Sequence, residues 1–333
     1  MTSGLWGVVS GLPLTMVIGA IPPACRRELG APPAPAVRLA DDEALIEAPP
    51  WPAAGAAHFV PSFTALTPVG YGVRFELSVR VDGRWSSWVA SIGLGPAEFA
   101  PLPPNDALEV DVDVFRARAP VEAVRVRARV RGAESVLAAP WMLTLSISEP
   151  SAPAPAATVE IARATRLDVP ALSQMQADAA IAPRICSPTC VAMVLAYWRR
   201  PAPLAPLAAE VFHPGSDLYG VWPAAIVAAG RRGLAGYLLR FPDWAAAAWC
   251  LEQRLPVIAS VRYRAGELSG AAIAETPGHL LALTGWEGDD VLVNDPAAPT
   301  AASVPRRYPL REIQRIWLDR TAVGYVLFPP SKP

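Results

Sequence analysis

Residues 186–198 read CSPTCVAMVLAYW, and the fold of the C-terminal half turns on them. Ser187 can cap a helix, and Pro188 fits a first helical position, where a missing N–H costs nothing. The apolar residues Cys190, Val191, Val194, Leu195 and Trp198 then recur three and four apart, the stripe of a core-facing helix. Cys190 is read as a small core residue on that stripe. Cys186 lies outside it, at the positive end of the helix dipole, where a thiolate is favoured over a thiol. A cysteine before a helix is most often structural, so Cys186 needs a partner to become a nucleophile.

The chain holds three histidines. His279 opens the apolar run GHLLALTGW, which EGDD joins to VLVNDP, so His279 and Asp295 fall on neighbouring antiparallel strands. A three-residue loop would put both side chains on one face. An even-numbered loop would oppose them unless a bulge intervenes. Asp295 before Pro296 also fits a plain turn-forming role. His58, at the entry to the β region, and His213, in a Pro/Gly loop, read as surface residues. Trp222 and Trp286 could line a cleft but sit at apolar positions typical of a core.

The 333 residues suffice for two domains. A hydrophobic content of 52% against 18% charged describes a folded chain, and 38 prolines announce turns and a stiff linker. With 29 basic and 30 acidic residues no global field attracts a polyanion, which argues against nucleic acid as a partner. Cys25, Cys186, Cys190 and Cys250 form no metal-ligand spacing, so no metal or cofactor is expected. No ATP-binding segment is evident. The run MTSGLWGVVSGLPLTMVIGAIPPAC is apolar like a signal-peptide core, but no Lys or Arg precedes it and prolines interrupt it. It slightly favours a secreted or cell-envelope location over a cytoplasmic one.

The Pro/Ala/Ser stretch EPSAPAPAATVE marks a boundary. The expected organisation is an N-terminal apolar and Pro-rich segment over 1–54, an antiparallel β-sandwich over 55–148, a linker over 149–162 and an α+β domain over 163–333, the two domains with separate cores. In the sandwich Val73, Phe75, Leu77, Val79 and Val81 alternate with polar residues, Asp82-Gly83 turns the chain, and WMLTLSIS is a further strand. Val110, Val112 and Val114 are read as the inner face of one strand, with Asp111 and Asp113 pairing across to Arg125, Arg127 or Arg129 on a solvated face.

LDVPALSQM, CSPTCVAMVLAYW and GHLLALTGWEGDDVLVNDPAAP, in that order, resemble the cysteine peptidases typified by the double-glycine leader peptidases of bacteriocin export, and especially their free-standing bacterial relatives. VWPAAIVAAGRRGLAGYLLRF, RRYPLREIQRIWL and the β region from about residue 55 extend the likeness. The resemblance implies a papain-like fold in which Cys186 attacks, His279 takes the thiol proton, Asp295 orients the imidazole and Gln174, rather than Gln176, donates to the oxyanion. It implies a peptide or protein substrate and leaves the ligand of the β domain open. Many relatives carry Gly where this chain has Ser187. An amidase or transpeptidase on the same fold, and an inactive scaffold, are the alternatives.

Overall fold

A computed structural model describes residues 3–32, 37–40, 42–149 and 164–330. The expected linker therefore lies, from residue 150 on, outside the described residues. The chain is α+β: two sheets precede the linker, and a third sheet with helices follows it.

The first sheet has six strands in the order Leu108–Asp111, Val114–Ala117, His58–Ala65, Trp141–Ser148, Ser3–Ser10 and Arg26–Gly30. All its pairings are antiparallel except that of Ser3–Ser10 with Arg26–Gly30. The second sheet has seven, centred on Gly72–Val81 and Ala123–Arg131, with Glu43–Glu47 at one flank. The expectation that residues 1–54 stand apart from the β domain is corrected here. Ser3–Ser10 is an inner strand, and the apolar residues Leu5, Trp6, Val8 and Val9 are buried because sheet and neighbouring elements cover both of its faces.

The acidic and basic columns also pair differently from expectation. Leu108–Asp111 and Val114–Ala117 form a tight hairpin in the first sheet, whereas Arg125, Arg127 and Arg129 belong to the second, so Asp111 and Asp113 cannot reach them. The arginines gather instead on Glu76, which accepts from Arg127 Nε at 2.6 Å and from Arg129 Nε at 3.0 Å, while Glu43 takes Arg129 Nη1 at 2.6 Å. Nor is this face solvated: Glu76, Ser78 and Arg74 are buried. Trp88 lies 4.0 Å from the Arg127 guanidinium and Trp85 4.1 Å from that of Arg125, so aromatic residues after the Asp82-Gly83 turn fold back over the charges. Burial opposes the Glu76 carboxylate, and its arginines outweigh that and lower its pKa.

The third sheet runs Ala235–Arg240, Val323–Phe328, Val257–Tyr263, Thr276–Glu287, Asp290–Asn294 and Pro305–Pro309, every pair antiparallel, with Thr165–Arg166 added beside Thr276–Glu287. Its edge strand, Ala235–Arg240, docks on the first sheet through hydroxyl side chains. Thr64 Oγ1 accepts from Gly236 N at 3.2 Å, Ser62 Oγ from Leu238 N at 3.2 Å and Ser146 Oγ from Arg240 N at 3.0 Å. An edge strand carries a row of unpaired N–H groups, and alternate hydroxyls of the β domain satisfy them. Buried apolar side chains from before and after the linker form one continuous cluster, in place of the separate cores expected.

Candidate active site

Cys186 begins the helix Cys186–Tyr197. The helix starts two residues earlier than the sequence reading placed it. Ile185 is its N-cap without a side-chain bond, and Ser187 turns its hydroxyl inward to Tyr325 Oη at 3.3 Å. Residues 187–195 are all buried, so the helix is enclosed on every side and the expected one-sided stripe is absent. Cys190 is fully buried and its Sγ contacts the Leu280 carbonyl at 3.4 Å. Cys25 and Cys250 are buried too, while Cys186 keeps partial exposure.

His279 and Asp295 meet through a bulge. Glu287 pairs with Asp290 across a two-residue turn, the even loop that would set the two side chains on opposite faces. Between Leu283 and Gly285 the register then shifts by one, so Leu283 opposes Val293 and Ala282 opposes Asn294. The extra residue brings Asp295 onto the face of His279. At the shift Gly285 passes under Thr165, whose carbonyl oxygen would lie 2.0 Å from any Cβ there. Only glycine admits that approach.

His279 Nε2 lies 2.9 Å from Asp295 Oδ1, and its ring lines the same cleft as the Cys186 thiol, close enough for each to shift the other's pKa. Asp295 is fully buried and His279 nearly so. Tyr308 Oη donates to Asp295 Oδ2 at 2.7 Å, and the Ala297 N–H donates to Oδ1 at 3.0 Å. Burial alone would favour neutral groups throughout. The hydrogen bonds outweigh it: the Asp295 carboxyl is held below its ordinary range, His279 is raised to about 10 by Asp295 and the thiolate, and Cys186 is lowered by the imidazolium and by the N–H groups of Leu280 and Ser187. Both shifts run in the direction of a thiolate beside an imidazolium.

Gln174 lies in the turn Gln174–Gln176 and is buried, whereas Gln176 is exposed. Its Nε2 donates to the Ala182 carbonyl at 2.8 Å, and its backbone N–H donates to the Pro296 carbonyl at 2.9 Å. The amide is thus tied both to the turn leading into Cys186 and to the residue after Asp295. His213 Nδ1 accepts from Ser216 N within its own loop, and His58 sits in the β domain; neither adjoins the thiol. Trp222 lines the cleft over Cys186, and Trp286 is buried.

Sequence reasoning missed Tyr308. A tyrosine in RRYPL gives no local hint of an acidic partner; only the pairing of Pro305–Pro309 with Asp290–Asn294 carries it to Asp295. Tyr308→Phe is expected to slow turnover about tenfold, the worth of one hydrogen bond to a charged group, without unfolding the chain. Unchanged turnover in a folded variant would leave Tyr308 a packing residue only.

The C-terminal half has the α+β fold class of a papain-like cysteine-peptidase domain. Residues 166–325 match the family model described as Peptidase_C39 like family. Three solved structures are similar. A double glycine motif protease from an AMS/PCAT transporter, in complex with its leader peptide, is 22% identical, with 50% of this chain and 94% of that one covered and a TM-score of 0.34. The peptidase domain of Streptococcus ComA, a bifunctional ABC transporter, is 16% identical over 48% and 98%, at 0.36. A C39-like peptidase from Bacillus anthracis, designated putative, is 15% identical over 51% and 100%, at 0.40. No curated protein matches. Among the described residues no helix is long and apolar enough to cross a membrane, and no cluster of three or more His, Cys, Asp or Glu suits a metal ion.

Proposed function

We propose that this protein hydrolyses peptide bonds through a thioester on Cys186. The observation that carries the reading is the meeting of Cys186, at the start of its helix, with the hydrogen-bonded pair His279–Asp295 at one cleft. The thiolate attacks the scissile carbonyl, and the oxyanion is met by the Gln174 amide and the N–H at the start of the cysteine helix. The His279 imidazolium gives its proton to the departing amine, which leaves an acyl-enzyme and a neutral imidazole. The imidazole then takes a proton from water, whose hydroxide adds to the thioester; collapse releases the acid and restores the thiolate and imidazolium. Asp295 holds the ring in orientation and balances its charge, and Tyr308 holds Asp295.

The test is alkylation of Cys186 across pH. A thiolate is lost as pH falls through the thiol pKa, which here lies below its ordinary value, so the rise of iodoacetamide labelling with pH should come at lower pH than for a free thiol. Hydrolysis needs the imidazolium as well, which is lost as pH rises through about 10, so turnover should show a basic limb that alkylation lacks. Peptide mapping should find the label on Cys186, because Cys190 and Cys250 are buried and burial raises their pKa. First labelling at Cys190, or a rate climbing through pH 8.5 as for a free thiol, would overturn the assignment.

A further inference from the structure

The β domain closes one side of the cleft. The tip of the 108–117 hairpin faces Cys186, His279 and Trp222 across a cavity of about 550 Å³. Asp113, at that tip, accepts from the Trp222 N–H at 2.7 Å and so fixes the hairpin on the first turn of the helix Trp222–Gly230. A second cavity of about 160 Å³ adjoins the first, the two sharing Val114, Arg116, Trp222, Arg262 and Thr321. Its lining carries four arginines, one histidine and no carboxylate. His58 and Arg116 come from the β domain, and Arg240, Arg262 and Arg320 from the C39-like half.

These charges are unequally balanced. Arg116 pairs with Asp111 at 2.9 Å and Arg320 with Glu267 at 2.6 Å. Among the described residues no carboxylate lies within ion-pair distance of Arg240 or Arg262. Arg240 is half-buried and donates only to uncharged groups, the Thr321 carbonyl at 2.9 Å, the Arg320 carbonyl at 3.2 Å and Ser148 Oγ at 3.3 Å. The Arg262 guanidinium is exposed, with no partner among the described residues, and His58 Nδ1 is buried without one. Burial and the field of Arg262 lower the pKa of Arg240, while burial, Arg240 and Arg116 hold His58 down at about 4, as a neutral ring. Guanidinium groups gathered in a concave wall repel one another, and that cost is relieved when an anion enters.

We infer that this pocket between the two halves is an anion subsite of the cleft and takes a carboxylate carried by the peptide substrate. The inference rests on the reading of Cys186 as nucleophile. It gives the β domain a part in substrate choice, since two of the five basic side chains in the wall, His58 and Arg116, come from that domain. The carboxylate has two sources, the substrate's C-terminus and an Asp or Glu side chain. The cavity has room for a carboxylate and a short stem.

Iodoacetate and iodoacetamide test it on the full chain, because they are nearly the same size and differ in charge. The imidazolium of His279 itself favours iodoacetate, so the deciding comparison is between the chain and its Arg262→Gln and Arg116→Gln variants, one from each half. The ratio of the iodoacetate rate to the iodoacetamide rate at Cys186 should fall about fivefold in Arg262→Gln and also fall in Arg116→Gln. Added salt should lower the same ratio in the unaltered chain. A ratio unchanged in both variants would overturn the subsite. If iodoacetamide left Cys186 unmodified, the nucleophile reading would fail and take the subsite with it.

The source is assigned by protection of Cys186 from iodoacetamide. N-acetyl-tetraalanine should protect better than its amide if the C-terminus is bound. An alanine tetrapeptide amide carrying Glu should protect better than its Gln twin if a side chain is bound. Equal protection within both pairs, with Glu tried at each position, would overturn the assignment to a peptide carboxylate.

Discussion

Asp295→Ala is expected to lower turnover about ten-thousandfold, the scale seen when a triad loses the carboxylate that orients its histidine, and to slow alkylation of Cys186 at neutral pH as well. Both effects follow from the burial of His279. Burial alone pushes its pKa down, and Asp295 is the first of the groups that raise it to about 10. Without that carboxylate the pKa of the ring falls in the direction burial dictates, and a ring less readily protonated gives less support to the thiolate, which burial also disfavours. The balance should shift toward thiol and imidazole. The substitution also removes acceptors from the Tyr308 hydroxyl and the Ala297 N–H, so the variant must be shown to unfold in denaturant like the parent. Asp295→Asn, which keeps the volume, provides the second measurement and should show the same two losses. Wild-type alkylation at pH 7 in both folded variants would remove Asp295 from the mechanism.

The cysteine helix and the two strands behind it could be read from sequence because each is local: a helical run of apolar residues, the apolar strand runs GHLLALTGW and VLVNDP, and a turn signal at Gly288-Asp289. The relation of His279 to Asp295 could not. It hangs on a bulge beside Gly285, and that bulge depends on Thr165–Arg166, more than a hundred residues earlier, lying close over the strand. The same limit explains the N-terminal half. Alternation at 73–81 correctly gives a strand, but Arg74, Glu76 and Ser78 read as solvent-facing because nothing local shows that Trp85, Trp88 and Phe99 return over them. Residues 3–10 show an apolar run without turn signals of its own, and only the pairing with Trp141–Ser148 makes it a strand. What sequence missed is in each case a partner supplied from far along the chain.

Gln174→Ala should fail in another way: turnover is expected to drop about a hundred- to a thousandfold, while alkylation by iodoacetamide stays near the parent rate. The support of the thiolate comes from His279 and the N–H groups of Leu280 and Ser187, and Gln174 is not among them. One Nε2 proton is engaged by the Ala182 carbonyl at 2.8 Å, which fixes the amide plane, and the second remains free to meet an oxyanion. Iodoacetamide reacts by displacement at carbon and forms no tetrahedral oxyanion, so it reports the thiolate alone. The same bond to Ala182 offers the competing explanation, that Gln174 merely shapes the turn entering Cys186. A turn that had slipped would disturb the helix start and the thiol with it, and both rates would fall together. Loss of turnover with alkylation preserved thus supports the oxyanion role; parallel loss of both would reduce Gln174 to a structural residue and leave the backbone N–H groups as the only donors.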